Sequence, residues 1–175
     1  MTRYLIYLLA TALAASLMRA QPAPEYALKA AVIYNITKFV EWPPDAFNGR
    51  SDPLNVCVFG ENPFGDALVQ ALNGKLHENR RFTVRYPHDS GAASSCHVLF
   101  VSASEQKRFR SILEQVSSRT ILTIGDADDF AAVGGIVDLR LKDLKIQLQV
   151  NLAAAERSRI RISSRLLSLA EIVGK

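Results

Sequence analysis

The chain has few of the residues and motifs from which most catalytic and metal sites are built. It contains two cysteines and three histidines in 175 residues, and no two histidines have the spacing of metal ligands on one helix or hairpin. It has no Gly-x-Ser-x-Gly motif for a nucleophile elbow. Gly60–Gly65 has the glycine spacing of a phosphate loop, but Asp66 and Ala67 stand where lysine and a hydroxyl residue are needed. These absences predict a protein that is not an enzyme and has no metal or cofactor.

An uncharged apolar stretch near the N-terminus is too short to cross a membrane. It covers Leu5–Leu17, about 13 residues where a spanning helix needs roughly 20, and it lies between a basic start and the small residue Ala20. These features predict a signal peptide over residues 1–20, whose cleavage site the sequence does not fix, and hence an exported protein. The alternative is a retained anchor helix. Without Arg3 and Arg19 the basic count falls from 21 to 19 against 17 acids. The net charge then falls from +4 to +2, which gives no reason to expect nucleic-acid binding.

The two cysteines, Cys57 and Cys96, are predicted to form a disulfide. Export would place them in an oxidising compartment, where such pairs form and persist. The bond would close a loop of about 39 residues and stabilise the fold by a few kcal/mol in the loop-entropy model. The alternative is two buried thiols, since cysteine is small and apolar.

Residues 21–175 are predicted to form one α/β domain that begins with a helix. In the stretch 25–44, apolar residues recur with a helical period, at Leu28, Val32, Ile36, Phe39 and Val40. Pro43 and Pro44 follow, and proline ends a helix because it supplies no amide hydrogen. We therefore interpret this stretch as the first core helix.

Downstream of that helix, apolar β-branched runs alternate with helical patterns, which predicts βαβ units. The predicted strands are 54–60, 82–86, 96–102 and 120–125, and the helices between them are 62–72 and 105–116. A hairpin (136–141 with 146–150), a short helix (152–157) and a last helix (163–173) follow. The expected fold is a mixed, mostly parallel sheet covered by helices on both faces, with a C-terminal β-hairpin and helix.

Four arginines near the C-terminus are a candidate ligand site. Arg157, Arg159 and Arg161 alternate, so an extended segment would present three guanidinium groups on one side, with Arg165 close by. Such a cluster can bind carboxylate or phosphate in bidentate geometry. It suggests a small-anion or nucleotide binding module, and the alternative is solvated arginines with a few surface ion pairs.

A small acidic group, Asp126, Asp128 and Asp129, follows the strand predicted at 120–125. Acidic residues after a strand can belong to an active site, but this spacing does not fit a calcium loop, which needs more oxygen ligands and a distal glutamate. We interpret the group as a solvated loop.

Five segments of the chain resemble the YfiR family of periplasmic regulators. They are Tyr26–Pro43, Ile121–Asp126, Phe130 with Gly134–Ile136, Asn151–Ala155 and Ile162–Ala170. The resemblance runs from about residue 26 to residue 173, and its first and last segments are the most specific. It implies a non-enzymatic α/β domain in the periplasm of a Gram-negative cell.

The resemblance also implies partners. Family members bind the periplasmic part of an inner-membrane diguanylate cyclase and repress its cyclic-di-GMP synthesis, and an OmpA-like outer-membrane lipoprotein can sequester them. It further implies a homodimer that is sensitive to redox state. Cys57 and Cys96 match one family cysteine pair, whereas the second pair, around residues 131–138, is missing here. Arg161 would correspond to a basic residue of the family's small-ligand site, but Ser163 stands where another ligand-facing residue is expected.

The exit of the first helix is a candidate partner contact. Trp42, Pro43 and Pro44 are followed closely by Phe47, and indole and phenyl groups beside a helix end are frequent interface anchors. The alternative is that Trp42 packs in the core.

Overall fold

An eight-stranded sheet with helices on both faces forms the body of the molecule in the computed structural model, which describes residues 24–174. The signal peptide predicted over residues 1–20 lies outside the described residues. The helices are α1 (Pro24–Thr37), α2 (Ala67–Leu72), α3 (Ser90–Ala93), α4 (Phe109–Val116), α5 (Leu152–Arg157) and α6 (Ser164–Leu167). Short 3₁₀ helices cover Pro44–Ala46 and Ala103–Arg108.

The strands form two sheets. They are β1 (Val40–Glu41), β2 (Leu54–Phe59), β3 (Leu76–His77), β4 (Arg80–Arg85), β5 (Val98–Val101), β6 (Leu122–Gly125), β7 (Val137–Lys142), β8 (Lys145–Asn151), β9 (Arg161–Ile162) and β10 (Ala170–Val173). The large sheet has the order β10-β8-β7-β6-β5-β2-β4-β3, and β1 pairs separately with β9. The run from β4 to β7 is parallel, β8 is antiparallel to β7, and β3 is antiparallel to β4. The predicted mixed, mostly parallel α/β fold is therefore confirmed.

The central strand β2 shows how the two faces of the sheet are filled. All six of its residues are buried, and successive side chains point to opposite faces. Leu54, Val56 and Val58 belong to the larger core, together with residues of α1 and α2. Cys57 and Phe59 belong to the smaller core, beneath α4. The continuous apolar sequence thus reflects a strand covered on both sides.

The first helix is present; its predicted buried face is correct in part, and its predicted end is wrong. Ile36 and Val40 are buried as predicted, whereas Leu28 is 42% exposed and Ala30 and Ile33 lie in the core. The helix is apolar on most sides, so the period alone does not select the buried face. The helix ends at Thr37 rather than at the prolines because Val40–Glu41 extends to pair with β9.

The last helix predicted over 163–173 is also wrong. Only Ser164–Leu167 is helical, and Ala170–Val173 forms a strand parallel to β8. A short isolated helix gains little stability in water, whereas an added strand satisfies the open backbone edge of β8. Leu169, which a helix would have turned inward, is 74% exposed.

The predicted hairpin and the apolar stripe of helix 105–116 are confirmed. Strands β7 and β8 pair around a turn at Asp143 and Leu144, both of which have positive φ angles. The stripe residues Phe109, Ile112, Leu113 and Val116 are all buried. The first part of this segment is a 3₁₀ helix rather than an α-helix. Within residues 24–174, no helix combines the length and apolar character needed to cross a bilayer.

Candidate functional site

The connection between β1 and β2, residues 42–53, contains the predicted partner-contact residues and is called the aromatic loop below. It lies at the end of the sheet where β2 and β5 begin. His97, the residue before β5, contacts it directly. The Nε2 atom of His97 lies 3.0 Å from the carbonyl oxygen of Ala46, and its Nδ1 atom accepts the backbone N–H of Asn55 at 3.0 Å. Because Nδ1 is an acceptor, Nε2 carries the hydrogen and the ring is neutral.

Phe47 is fixed by two side chains. Its ring is stacked on that of His97, with centroids 4.4 Å apart and planes 16° from parallel. The guanidinium carbon of Arg80 lies 3.7 Å from the ring centroid, a cation–π contact. Arg80 also donates to the carbonyl oxygens of Gly49 (2.7 Å) and Asp52 (2.9 Å). His97 and Arg80 therefore hold the loop in one conformation.

Trp42 is half-buried and packs against the larger core. Its Nε1–H donates to the carbonyl oxygen of His97 at 3.3 Å, and its ring meets that of His77 edge to face at 5.2 Å. The indole therefore has a packing role, and part of its surface stays accessible. Pro43 and Phe47 are half-buried too, while Asp45 and Asn48 are exposed.

Burial and charge both disfavour a proton on His97. Burial lowers its pKa below the usual value, and Arg80 and Arg85 act in the same direction. The hydrogen bond to Ala46 and the charge of Asp52 only partly oppose this. Since both ring nitrogens are bonded to backbone groups, His97 has a structural role rather than that of a general base.

Two of the four candidate arginines lie beside the aromatic loop, each facing an acid. Arg159 Nη2 donates to both carboxylate oxygens of Asp45, at 2.7 and 2.8 Å. Arg161 Nε lies 3.7 Å from Glu41, its partner residue across the β1–β9 pair. These contacts connect the C-terminal segment to the loop.

The extended geometry on which the arginine site was predicted is not present. Arg157 ends helix α5, Arg159 has a left-handed backbone with φ of 57°, and only Arg161 lies in a strand. Arg157 lines a separate cavity of about 470 Å³ beside α4, and Arg165 lies in α6. The four side chains are therefore not arranged along one side of a strand. Binding of a ligand by these arginines stays a prediction.

The disulfide expected between Cys57 and Cys96 is present, with Cα atoms 5.9 Å apart. Both residues are almost fully buried in the smaller core. The bond joins the middle of β2 to the residue that precedes His97. It therefore fixes the chain from which His97 contacts the aromatic loop.

A buried ion cluster that the sequence did not indicate lies at the opposite end of the sheet. Lys29 Nζ bonds Asp126 Oδ2 at 2.7 Å and also pairs with Glu25, and the lysine and aspartate side chains are only 3% and 2% exposed. The prediction that Asp126 belongs to a solvated loop is therefore wrong, because its carboxylate neutralises a lysine on the inner side of α1. Burial first, and then the charge and hydrogen bond of Asp126, raise the pKa of Tyr26. In the described part of the chain, no three His, Cys, Asp or Glu side chains are grouped to hold a metal ion.

Comparison with known families assigns the chain. A family model described as YfiR/HmsC-like matches residues 26–171. The chain belongs to this family. The YfiR/HmsC-like family is regulatory and non-catalytic, and its members are periplasmic. The match covers most of α1, the aromatic loop, both cysteines and all four candidate arginines.

Two solved structures share the fold of this YfiR/HmsC-like chain at low sequence identity. One is a conserved domain protein from Vibrio cholerae O1 biovar El Tor strain N16961, with 12% identity, a TM-score of 0.59, and coverage of 87% of this chain and 60% of that one. The other is an ABC domain in complex with L-Trp from Streptococcus pneumoniae, with 10% identity, a TM-score of 0.52, and coverage of 84% and 60%. The chain thus spans about 60% of the length of each of these solved chains, and the similarity concerns the fold alone. A comparison with curated proteins gives no match.

Proposed function

We propose that this protein is a periplasmic repressor that binds the periplasmic part of an inner-membrane diguanylate cyclase and lowers cyclic-di-GMP synthesis. The observation that carries the proposal is the family match over residues 26–171. The short apolar segment at the N-terminus and the disulfide between Cys57 and Cys96 are compatible with a periplasmic location. An OmpA-like outer-membrane lipoprotein that sequesters the repressor and a homodimeric state belong to the same proposal.

The aromatic loop is the proposed contact surface for the cyclase. Trp42 and Phe47 are half-buried aromatic residues whose rings are held by His77 and His97, so little side-chain entropy would be lost on binding. Asp45 and Asn48 beside them are exposed. An anchored aromatic pair with a polar rim is the pattern of many protein interfaces.

Deleting the gene and measuring cyclic-di-GMP tests the regulatory role. We expect the cyclic-di-GMP level to rise and the cyclase to be recovered with the tagged wild-type protein. An unchanged level, with no cyclase recovered, would contradict the proposal.

A pair of surface variants tests the contact surface separately. Asn48→Arg adds bulk and charge to the loop while the bonds of Trp42 and His97 remain. Ser111→Arg makes the same kind of change at an exposed position of α4. We expect only Asn48→Arg to weaken cyclase binding and to raise cyclic-di-GMP. Equal effects of the two variants would exclude the aromatic loop while leaving the regulatory role intact.

The alternative function, a small-anion or nucleotide binding module, has less favourable geometry. Arg159 and Arg161 already face Asp45 and Glu41, so an anion would compete with carboxylates of the same chain. Thermal shift with nucleotides and carboxylates distinguishes the two functions, because a ligand at about 100 times its dissociation constant stabilises by about 2.7 kcal/mol. A shift that is lost in Arg161→Ala would favour the alternative.

A further inference from the structure

Strand β4 has an outer edge that is largely unpaired. Its neighbour β3 pairs with it only at Leu76↔Arg81 and His77↔Arg80, next to a two-residue turn with φ angles of 47° and 69°. Residues 82–85 pair with β2 on the inner side. On their outer side, the described part of the chain places no further strand. An open edge of this kind can accept another strand.

The direction of the free backbone groups follows from the register. The pair next to a two-residue turn exchanges both backbone hydrogen bonds, so the N–H and C=O of Arg80 face β3. These groups alternate in direction along a strand. The N–H and C=O groups of Phe82 and Val84 therefore face outward, while those of Thr83 face β2. An added strand would find two donors and two acceptors there.

A groove lined by both apolar and polar residues accompanies this edge. It has a volume of about 770 Å³ and is lined by Val69 of α2, Leu76 of β3, and Phe82 and Val84 of β4, among others. Val69 is 44% and Leu76 is 52% exposed. Backbone groups that offer hydrogen bonds next to exposed apolar side chains are the features by which proteins bind peptides as added strands.

The charges along the groove are of one sign. Lys75 and Arg81 line it, no acidic residue does, and neither cation has an ion-pair partner within residues 24–174. β4 also contributes Arg80 and Arg85. A second copy that offered the same edge would bring like charges together, whereas an acidic strand would be attracted.

We propose that the outer edge of β4 and its groove form a second docking surface, which binds an extended segment of a partner protein in which apolar and acidic residues alternate. The segment adds as a strand, so that its backbone bonds Phe82 and Val84, its apolar side chains lie in the groove, and its carboxylates face Lys75 and Arg81. The surface differs from the aromatic loop, and the inference does not depend on the identity of the cyclase.

Two synthetic peptides test the proposal on the protein that lacks the predicted signal peptide, residues 21–175. One is a peptide of about ten residues that alternates valine and glutamate, and the other replaces glutamate with lysine. We expect the glutamate peptide to bind and to slow hydrogen exchange at the amides of Phe82 and Val84. The lysine peptide is expected not to bind.

Charge and groove variants provide the controls. Lys75→Glu with Arg81→Glu should weaken binding of the glutamate peptide about tenfold, and the matched pair Lys142→Glu with Lys145→Glu, at the distant β7–β8 hairpin, should not change it. Leu76→Ser, at an exposed position, should also weaken binding without unfolding the chain.

The proposal is overturned if the glutamate peptide does not bind, if both peptides bind equally, or if binding leaves the Phe82 and Val84 amides unprotected. It is also overturned if the protein self-associates and Lys75→Glu with Arg81→Glu abolishes that association. In that case a second copy of the chain, rather than a partner, occupies the edge.

Discussion

The indole N–H of Trp42 donates to the carbonyl oxygen of His97, 55 positions further along the chain and 3.3 Å away. The side chain of the same histidine contacts Ala46 and Asn55. His97 thus connects the exit of the first helix, the aromatic loop and the start of β2. Any change that protonates, displaces or loosens His97 is therefore expected to alter the surface that we propose for partner binding.

Acid is predicted to destabilise the fold through His97 and His77. Burial lowers the pKa of both residues, whereas in the unfolded chain the value is about 6.5. Between the lowered pKa and about 6.5, the unfolded state binds a proton that the folded state does not. The free energy of unfolding should therefore fall as pH falls through this window. The slope is at most about 1.4 kcal/mol per pH unit for each histidine.

Urea unfolding at several pH values between about 7.5 and 5.5 measures this slope. Trp42 is the only tryptophan, so its fluorescence reports directly on the site. His97→Gln should flatten the pH dependence, while His88→Gln, at an exposed position in a connection, should not. A slope that is unchanged in His97→Gln would show that its protonation is not coupled to folding.

Loss of the disulfide is predicted to lower stability substantially. Cys57 and Cys96 are 39 positions apart, and closing a loop of that size is worth about 4 kcal/mol in the chain-entropy model. The variant Cys57→Ala with Cys96→Ala should lose most of that free energy of unfolding in urea denaturation. Wild-type protein unfolded under reducing conditions should have the same free energy of unfolding as this double variant. A loss below about 1 kcal/mol would mean that the entropic stabilisation is cancelled. The cause would be either strain at the disulfide in the native state or residual structure in the unfolded chain.

The buried cluster around Lys29 gives a third prediction. Lys29→Met leaves Asp126 buried without its cation, a loss that typically costs about 3–5 kcal/mol. Lys38→Met, just beyond the end of the same helix, is the control, since Lys38 is exposed and lies over the Tyr34 ring, and it should change stability little. Chemical denaturation of both variants measures the difference.

A second substitution separates charge from packing at this cluster. If the cost of Lys29→Met comes from the unpaired carboxylate, adding Asp126→Asn should recover part of the lost free energy of unfolding. Equal stability of the single and double variants would instead attribute the loss to the methylene groups of the lysine.

The parts of the fold that could be predicted are those in which one local pattern permits one structure. β2, β5 and β6 are short runs of apolar residues buried on both faces, and no surface helix has that composition. The final segment was ambiguous, because Leu166, Leu169 and Val173 fit a helical period while Ala170–Val173 also fits the open edge of β8. Tertiary pairing decided the outcome, and a local pattern does not contain that information.

The candidate site was predictable only in part. Trp42, Pro43 and Phe47 were proposed from the sequence because aromatic residues near a proline stop are conspicuous, and their role in partner binding stays a prediction. Arg80 and His97 were missed because each acts on a loop more than 25 positions away, and neither lies in a motif. The position of His97 directly after Cys96, at the start of a buried strand, was the available signal. Lys29 offered a similar one, since it lies four residues after Glu25 within an apolar helix.

The packing of Phe130 gives the last prediction and a physical reason for the Phe130…Gly134–Ile136 pattern. Phe130 is fully buried, and a Cβ atom added to Gly135 would lie 2.2 Å from its ring, while one added to Gly125 would lie 2.4 Å from it. Gly135→Ala should therefore lower the free energy of unfolding by about 2 kcal/mol through overpacking. Gly91→Ala, at an exposed position, should have little effect.

Adding Phe130→Leu to Gly135→Ala should cost less than the sum of the two single changes, because the smaller side chain makes room for the methyl group. Strictly additive values in thermal or urea unfolding would show that contact with the Phe130 ring is not the reason for glycine at position 135.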